Sequence, residues 1–157
     1  MKNTDPSKTR KLFLFLKRFS MNIAIIFFIT LLQMYWSMGG LSDHISSGCL
    51  TCSFFKEVVL MSFFTSVFLS FVFTLFYAAK KTFIKTIAEL LLLILFWFFM
   101  NYSIFVDRES AWSTYDFESE IHYVISQSLF PVLLLGCTCL LLLHYKEIKT
   151  RFIPYKR

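Results

Sequence analysis

Four long stretches of the chain carry no aspartate, glutamate, lysine or arginine, and they constrain the fold more than any other feature. They cover residues 19–42, 58–79, 90–106 and 121–145. At a rise of ~1.5 Å per residue, about 20 residues cross a ~30 Å hydrocarbon layer. Because lipid cannot hydrogen-bond free backbone groups, a spanning segment of this kind has to be helical. The sequence therefore predicts an all-α polytopic membrane protein with four transmembrane helices, at about 19–38, 58–79, 87–106 and 124–144.

The remaining residues are too few and too dispersed to form a separate soluble domain. Charged residues make up 17% of the chain and hydrophobic residues 57%, whereas a soluble domain has about 25% charged residues. We therefore expect three regions: a basic tail at 1–18, a four-helix transmembrane bundle at 19–145, and a second basic tail at 146–157.

The distribution of lysine and arginine predicts the orientation of the bundle. Of the 16 basic residues, 14 lie in the two tails and in the connection between the second and third spans, and the other two are Lys56 and Arg108. The positive-inside rule then places both termini in the cytoplasm, which makes an N-in/C-in antiparallel bundle of the cell inner (plasma) membrane. The net charge of +6 is therefore a topology signal, so membrane lipid is an expected partner and nucleic acid is not.

The second span carries a ridge of small side chains. They recur every four residues, a spacing that places them on one helix face, and they are Ser62, Ser66, Ser70, Thr74 and Ala78. Helices in lipid associate by close approach over small residues of this kind. The ridge is either a docking face for a partner protein or a packing face within the bundle itself.

The candidate membrane-embedded polar residues are Glu89, Asn101 and Gln127, each inside a predicted span. Lys85 is one helical turn before Glu89 on the same face, so the two side chains can pair near the cytoplasmic boundary. The alternative interpretation is a proton or cation relay through all three polar residues.

A C-x-x-C motif, Cys49 and Cys52, lies on the predicted outer side just before the second span. The unpaired N–H groups and dipole at a helix start stabilise a thiolate there, and an oxidising compartment favours a disulfide. The alternatives are a redox-active pair, a structural disulfide or idle thiols, and a metal site completed by His44 and His122. Nothing in the spacing requires zinc, and we expect no cofactor.

Four cysteines, four spans and an outer C-x-x-C together resemble the DsbB-type disulfide-generating oxidases of bacterial inner membranes. Lys56 stands where that family has an arginine after its pair, and the resemblance implies that Cys49 and Cys52 form the quinone-facing redox pair. That family has a second cysteine pair in its second outer loop, whereas residues 107–120 contain no cysteine. Cys137 and Cys139 lie deep in the fourth span and point about 200° apart, so they cannot pair simply with each other.

The first functional hypothesis is a small non-enzymatic membrane protein that acts by helix–helix interaction with another membrane protein. By size and architecture alone, immunity to a pore-forming bacteriocin and exclusion of a plasmid or phage fit best. The alternatives are a thiol–disulfide oxidoreductase that uses the outer C-x-x-C, and an accessory subunit of a transporter or secretion complex.

Overall fold

The computed structural model describes residues 6–76 and 82–145, and 86% of these residues are helical with no strand among them. The long helices are α1 (Pro6–Met38), α2 (Phe54–Phe76), α3 (Thr82–Arg108) and α4 (Phe117–Leu143), and single 3-10 turns occur at Gly39–Leu41 and Ser110–Trp112. All four are long and apolar enough to cross a membrane. The predicted all-α class and the four apolar helices are therefore confirmed.

The helices are longer than the predicted spans because a helical backbone continues into polar residues as long as its own hydrogen bonds are satisfied. Helix α1 begins at Pro6, within the segment expected to be a basic tail, and proline is favoured in the first turn, where its missing N–H costs nothing. The other helices also begin before their predicted starts. The predicted end of the second span at residue 79 and the C-terminal tail at 146–157 lie outside the described residues.

The four helices run alternately up and down. Helix α1 packs along α2 and α4, and α3 packs mainly on α4. We call the end that carries the connections 39–53 and 109–116 the disulfide end. The opposite end, where α1 begins and α4 ends, is called the tail end.

The centre of the bundle is organised around Trp97 of α3, which is completely buried. Its indole Nε1 donates a hydrogen bond of 2.9 Å to Thr30 Oγ1 on α1. A Cβ atom placed on Gly136 of α4 would lie 3.4 Å from Leu90 Cδ1 and 3.8 Å from the Trp97 ring. These are ordinary van der Waals distances, so Gly136 lies directly against side chains of α3.

The outward faces of the bundle consist largely of big apolar side chains. Examples that are more than half exposed are Phe64 and Phe71 on α2, Leu95 and Phe99 on α3, and Phe130 on α4. Some hydroxyl groups on the helices bond within their own helix. For example, Thr74 Oγ1 donates to the carbonyl of Ser70 at 2.7 Å, which satisfies the hydroxyl without a partner from another helix.

Candidate functional site

The C-x-x-C motif forms a disulfide between Cys49 and Cys52, with the two Cα atoms 5.3 Å apart. The Cys52 amide also donates to the Cys49 carbonyl at 3.1 Å, so the pair closes a tight turn just before α2. Cys52 is exposed and Cys49 is half-buried. Lys56, four residues after Cys52, is exposed as well. An attacking thiolate from another molecule could therefore reach the bond.

Arg108, the last residue of α3, anchors the disulfide turn to the bundle. The residue is only 2% exposed, and its guanidinium donates to Glu57 Oε2 from Nε at 3.0 Å and from Nη2 at 2.7 Å. It also donates from Nη1 to the His44 carbonyl at 2.6 Å and lies 5.2 Å from the centroid of the Phe54 ring. One buried cation thus joins the end of α3, the start of α2 and the 39–53 connection.

The neighbouring residue, Asp107, also forms hydrogen bonds with the 39–53 connection. Its Oδ1 accepts hydrogen bonds from Ser47 Oγ at 2.8 Å and from the Gly48 amide at 3.0 Å. Its carbonyl accepts from the Ser47 amide at 2.9 Å. Farther along, Trp112 Nε1 donates to the Ile45 carbonyl at 2.8 Å. The segment that presents the disulfide is therefore fixed against α3 and the following turn at several points.

The other two cysteines lie far along α4 from the disulfide end. Cys137 is exposed on the outside of the bundle and Cys139 is completely buried. They follow Phe117, the first residue of α4, by some 20 residues, or about 30 Å of helix. That distance excludes direct exchange with the disulfide in this conformation, because a disulfide needs Cα atoms within ~7 Å.

The two histidines considered as metal ligands do not come together with the cysteines. His44 Nδ1 pairs with Glu109 Oε2 at 2.6 Å, and His122 lies in a shallow surface depression with Asp116 and Glu118. Within the part of the chain that the structure describes, no group of three or more histidine, cysteine, aspartate or glutamate residues is arranged to hold a metal ion.

Glu89 forms the centre of a second polar cluster, at the tail end. The residue is 2% exposed, and its carboxylate pairs through Oε2 with His144 Nε2 at 2.6 Å and through Oε1 with Lys85 Nζ at 3.8 Å. Lys85 and His144 are also buried, so the predicted Lys85–Glu89 pair lies inside the bundle instead of extending to its surface. The pairing with His144 brings α3 and α4 together.

A cavity of about 270 Å³ opens beside this cluster and is lined by all four helices. Its polar lining consists of Arg18, Asn22, Thr74, Lys85, Glu89 and His144. The rest of the lining is apolar, with aromatic rings from α1 and α2. A concave site in which a few polar groups converge among apolar walls is the usual form of a ligand pocket.

The structure places the three residues considered for a relay, Glu89, Asn101 and Gln127, in different surroundings. Glu89 and Asn101 are both buried but lie twelve residues apart on α3, or about 18 Å, and Gln127 is exposed on α4. Both amide atoms of Asn101 lack a hydrogen-bond partner among the described residues. Glu89 and Asn101 are therefore separated by about three helical turns of α3.

The small-residue ridge of α2 lies within the bundle over most of its length. Ser62, Ser66 and Ser70 are buried, and Ser62 Oγ donates to Met34 Sδ of α1 at 3.5 Å. Thr74 is half-buried and borders the tail-end cavity. Ala78 lies outside the described residues.

Sequence reasoning missed Arg108, Glu57 and His144 as members of these clusters. Part of the signal was available, since the predicted topology places Arg108 and Glu57 at one end of the bundle and His144 and Glu89 at the other. It does not give the helix rotations that decide which of these side chains meet.

No protein-family model, curated protein or solved structure matches the chain.

Proposed function

We propose that the chain is a multi-pass protein of the cell inner (plasma) membrane, with both termini in the cytoplasm. The four apolar helices and their apolar outward faces support insertion, because an exposed apolar surface of this extent needs lipid around it. The lysine and arginine counts support the orientation. The structure adds that Arg108, one of the two basic residues at the disulfide end, is buried and paired with Glu57. It therefore contributes little positive charge to that surface.

Within the membrane, the protein acts by binding another membrane protein through its helices. It is either an immunity protein against a pore-forming bacteriocin or an exclusion factor. One observation carries this proposal: the described part of the chain offers a partner mainly apolar helix faces. Its charged groups are tied into the Arg108 and Glu89 clusters, lie in the short connections, or occur toward the helix ends, as do Lys17 on α1 and Lys56 on α2. An immunity protein or an exclusion factor needs only such faces. We prefer these two functions to other roles that involve binding a membrane protein on the basis of size and architecture.

The test is protection of sensitive cells against a panel of pore-forming bacteriocins. Cells that express the chain should survive at least one toxin, and no protection at full membrane expression would contradict immunity. The double variant Phe64→Ala and Phe71→Ala removes bulk from the outward face of α2, with Leu95→Ala on α3 as a matched outward control. Loss of protection in the α2 variant alone, with insertion retained, would assign the partner to that face.

The small-residue ridge is less suited to binding a partner than the outward face of α2 that carries Phe64 and Phe71. Ser66 and Ser70 are buried in the bundle, so leucine at both positions should disturb the packing of the monomer itself. We therefore expect that variant to lose thermal stability as well as any protective activity, and both can be measured on the same preparation.

A thiol–disulfide oxidoreductase is the second candidate, and the reachable Cys49–Cys52 disulfide favours it. In that reaction a partner dithiol would give two electrons and two protons to the bond and become a disulfide, and a quinone would reoxidise Cys49 and Cys52. Replacing both residues with serine must abolish any oxidase activity. Full activity in the double serine variant would exclude this function.

A further inference from the structure

The Cys49–Cys52 disulfide closes a loop of the length for which a cross-link stabilises a fold least. The two residues are three positions apart, and the entropic stabilisation by a disulfide grows with the length of the loop that it closes. The turn also has a hydrogen bond of its own, from the Cys52 amide to the Cys49 carbonyl at 3.1 Å. The position of the bond is therefore poorly suited to a structural cross-link.

The segments on both sides of this turn are held by contacts that do not involve sulfur. On one side the Cys49 amide donates to Ser46 Oγ at 3.1 Å, and Ser46 is buried. On the other side Arg108 Nη2 donates to the Cys52 carbonyl at 3.5 Å. Opening the disulfide breaks neither hydrogen bond, so we expect the dithiol to keep the two thiols close together. Such a pair can open and close again without rearranging the bundle.

The two cysteines of the pair differ in their surroundings. Cys52 is exposed, whereas Cys49 is half-buried. Cys52 also stands two residues before the start of α2, where the unpaired N–H groups of the first turn and the helix dipole favour a thiolate. The carboxylate of that turn, Glu57, is engaged by the buried Arg108, and the exposed Lys56 adds a positive charge. Cys52 therefore combines access for an incoming thiolate with stabilisation of its own anion.

Cys49 has a hydroxyl group as its neighbour. Its Sγ lies 4.0 Å from Thr51 Oγ1. A hydroxyl at this position can donate to the sulfur as the bond breaks and negative charge develops there. Half-buried and adjacent to a donor, Cys49 is suited to leave the bond and not to receive the attack.

We propose that Cys52 is the exchange cysteine of this pair and that Cys49 is the leaving group when the disulfide opens. The reaction partner is a protein dithiol. This proposal rests on the oxidoreductase function named above as the second candidate, and it assigns the roles of the two sulfurs within that function.

The exchange proceeds in two steps. The first thiolate of the partner attacks Cys52 Sγ and forms a mixed disulfide with it, while Cys49 departs with the electron pair of the broken bond and takes up a proton. The partner's second thiolate then attacks the partner sulfur of the mixed disulfide, and Cys52 departs and takes up a second proton. Two electrons and two protons pass from the partner dithiol to the cysteine pair, so one exchange needs no other oxidant.

The experiment opens the bond of the oxidised full chain, purified in a mild detergent, with an excess of glutathione. At short times a single thiol leaves a mixed disulfide, and N-ethylmaleimide caps the cysteine that was released. Peptide fragmentation in a mass spectrometer then locates both labels. Because access decides which sulfur is attacked, glutathione on Cys52 with maleimide on Cys49 should exceed the reverse arrangement by about tenfold or more. Equal amounts, or glutathione mainly on Cys49, would overturn the assignment and leave the oxidoreductase function standing.

Dithiothreitol distinguishes failure of the assignment from failure of the function. It should reduce the bond in the folded chain. A bond that neither glutathione nor dithiothreitol opens below the unfolding temperature would overturn both the assignment and the oxidoreductase function. The double variant Cys49→Ser and Cys52→Ser should lower the thermal midpoint by at most about 8 °C, the effect of so short a loop. A larger loss would identify the bond as a structural cross-link and overturn the proposal.

Thr51→Val tests the departure of Cys49. Loss of the hydroxyl should slow the opening by glutathione by about threefold or more, the effect of one hydrogen bond to the departing sulfur. Leu50→Ala is the matched control, because Leu50 lies in the same turn and is 71% exposed. Its rate should stay within about twofold of the parent rate. Equal slowing in the two variants would overturn the part assigned to Thr51.

Discussion

Replacing Arg108 with methionine should destabilise the bundle by about 3 kcal/mol. The guanidinium makes two hydrogen bonds to Glu57 and one to the His44 carbonyl, all at 3.0 Å or less. Removing one partner of a buried ion pair costs about 3–5 kcal/mol, because the other charge is left behind unpaired. The Glu57 side chain is 18% exposed and can recover some hydration, so the lower end of that range applies. Methionine also retains some packing against Phe54.

Thermal unfolding in detergent can measure this loss through a single thiol. With Cys49 and Cys52 joined, a Cys137→Ser background leaves the buried Cys139 as the one free thiol of the chain. It reacts with a fluorescent maleimide only when the bundle opens. At about 2–4 °C per kcal/mol for a chain of this size, Arg108→Met should lower the midpoint by about 6–12 °C.

The matched control is Lys56→Gln, which removes the other basic charge at the disulfide end from an exposed position. It should change the stability by no more than about 0.5 kcal/mol. Combining Arg108→Met with Glu57→Leu should cost less than the sum of the single variants by at least about 0.5 kcal/mol, because the two groups interact directly. A midpoint change below about 2 °C for Arg108→Met, or strict additivity with Glu57→Leu, would refute this role of the ion pair.

Three further perturbations test other parts of the bundle. Asn101→Leu should raise the thermal midpoint, because an unpartnered buried amide costs about 1–3 kcal/mol; a lower midpoint would show that the amide is satisfied in the folded protein. Thr30→Val leaves the Trp97 indole N–H unpaired. It should lower the free energy of unfolding by about 0.6 kcal/mol and by at most about 1.7 kcal/mol, the range for hydrogen bonds between membrane helices. The same thiol assay measures this loss. Cys49 and Cys52 should resist alkylation in intact cells until a reductant is added, and labelling without a reductant would contradict an oxidised pair.

The existence and number of the helices could be predicted because each one corresponds to a stretch without charged residues. The ends of the helices could not be predicted, because backbone hydrogen bonding extends them beyond the uncharged stretches. Helix α1 begins at Pro6 and α4 begins at Phe117. Charge alone does not mark where a helix stops.

The polar clusters were predictable only in part. Lys85 and Glu89 are four residues apart, so their proximity follows from helix geometry. The pairing of Glu89 with His144 and that of Glu57 with Arg108 depend on how each helix is rotated toward its neighbours. A single sequence reports the side of the membrane for each residue but not that rotation.

The same limit applies to the small-residue ridge of α2. Its spacing defined a face correctly, but two environments were consistent with it: a neighbouring helix of the same chain or another protein. The contact of Ser62 with Met34 places α1 there, information that no periodicity within α2 contains.

The central claim is that four helices cross the membrane with both tails in the cytoplasm, and paired reporter fusions test it most directly. Alkaline phosphatase is active only outside the cytoplasm, whereas a green fluorescent protein exported through the general pathway does not fluoresce. A fusion after Arg157 should be fluorescent and lack phosphatase activity, and a fusion after Ser53 should show the reverse. Phosphatase activity after Arg157 would contradict the topology.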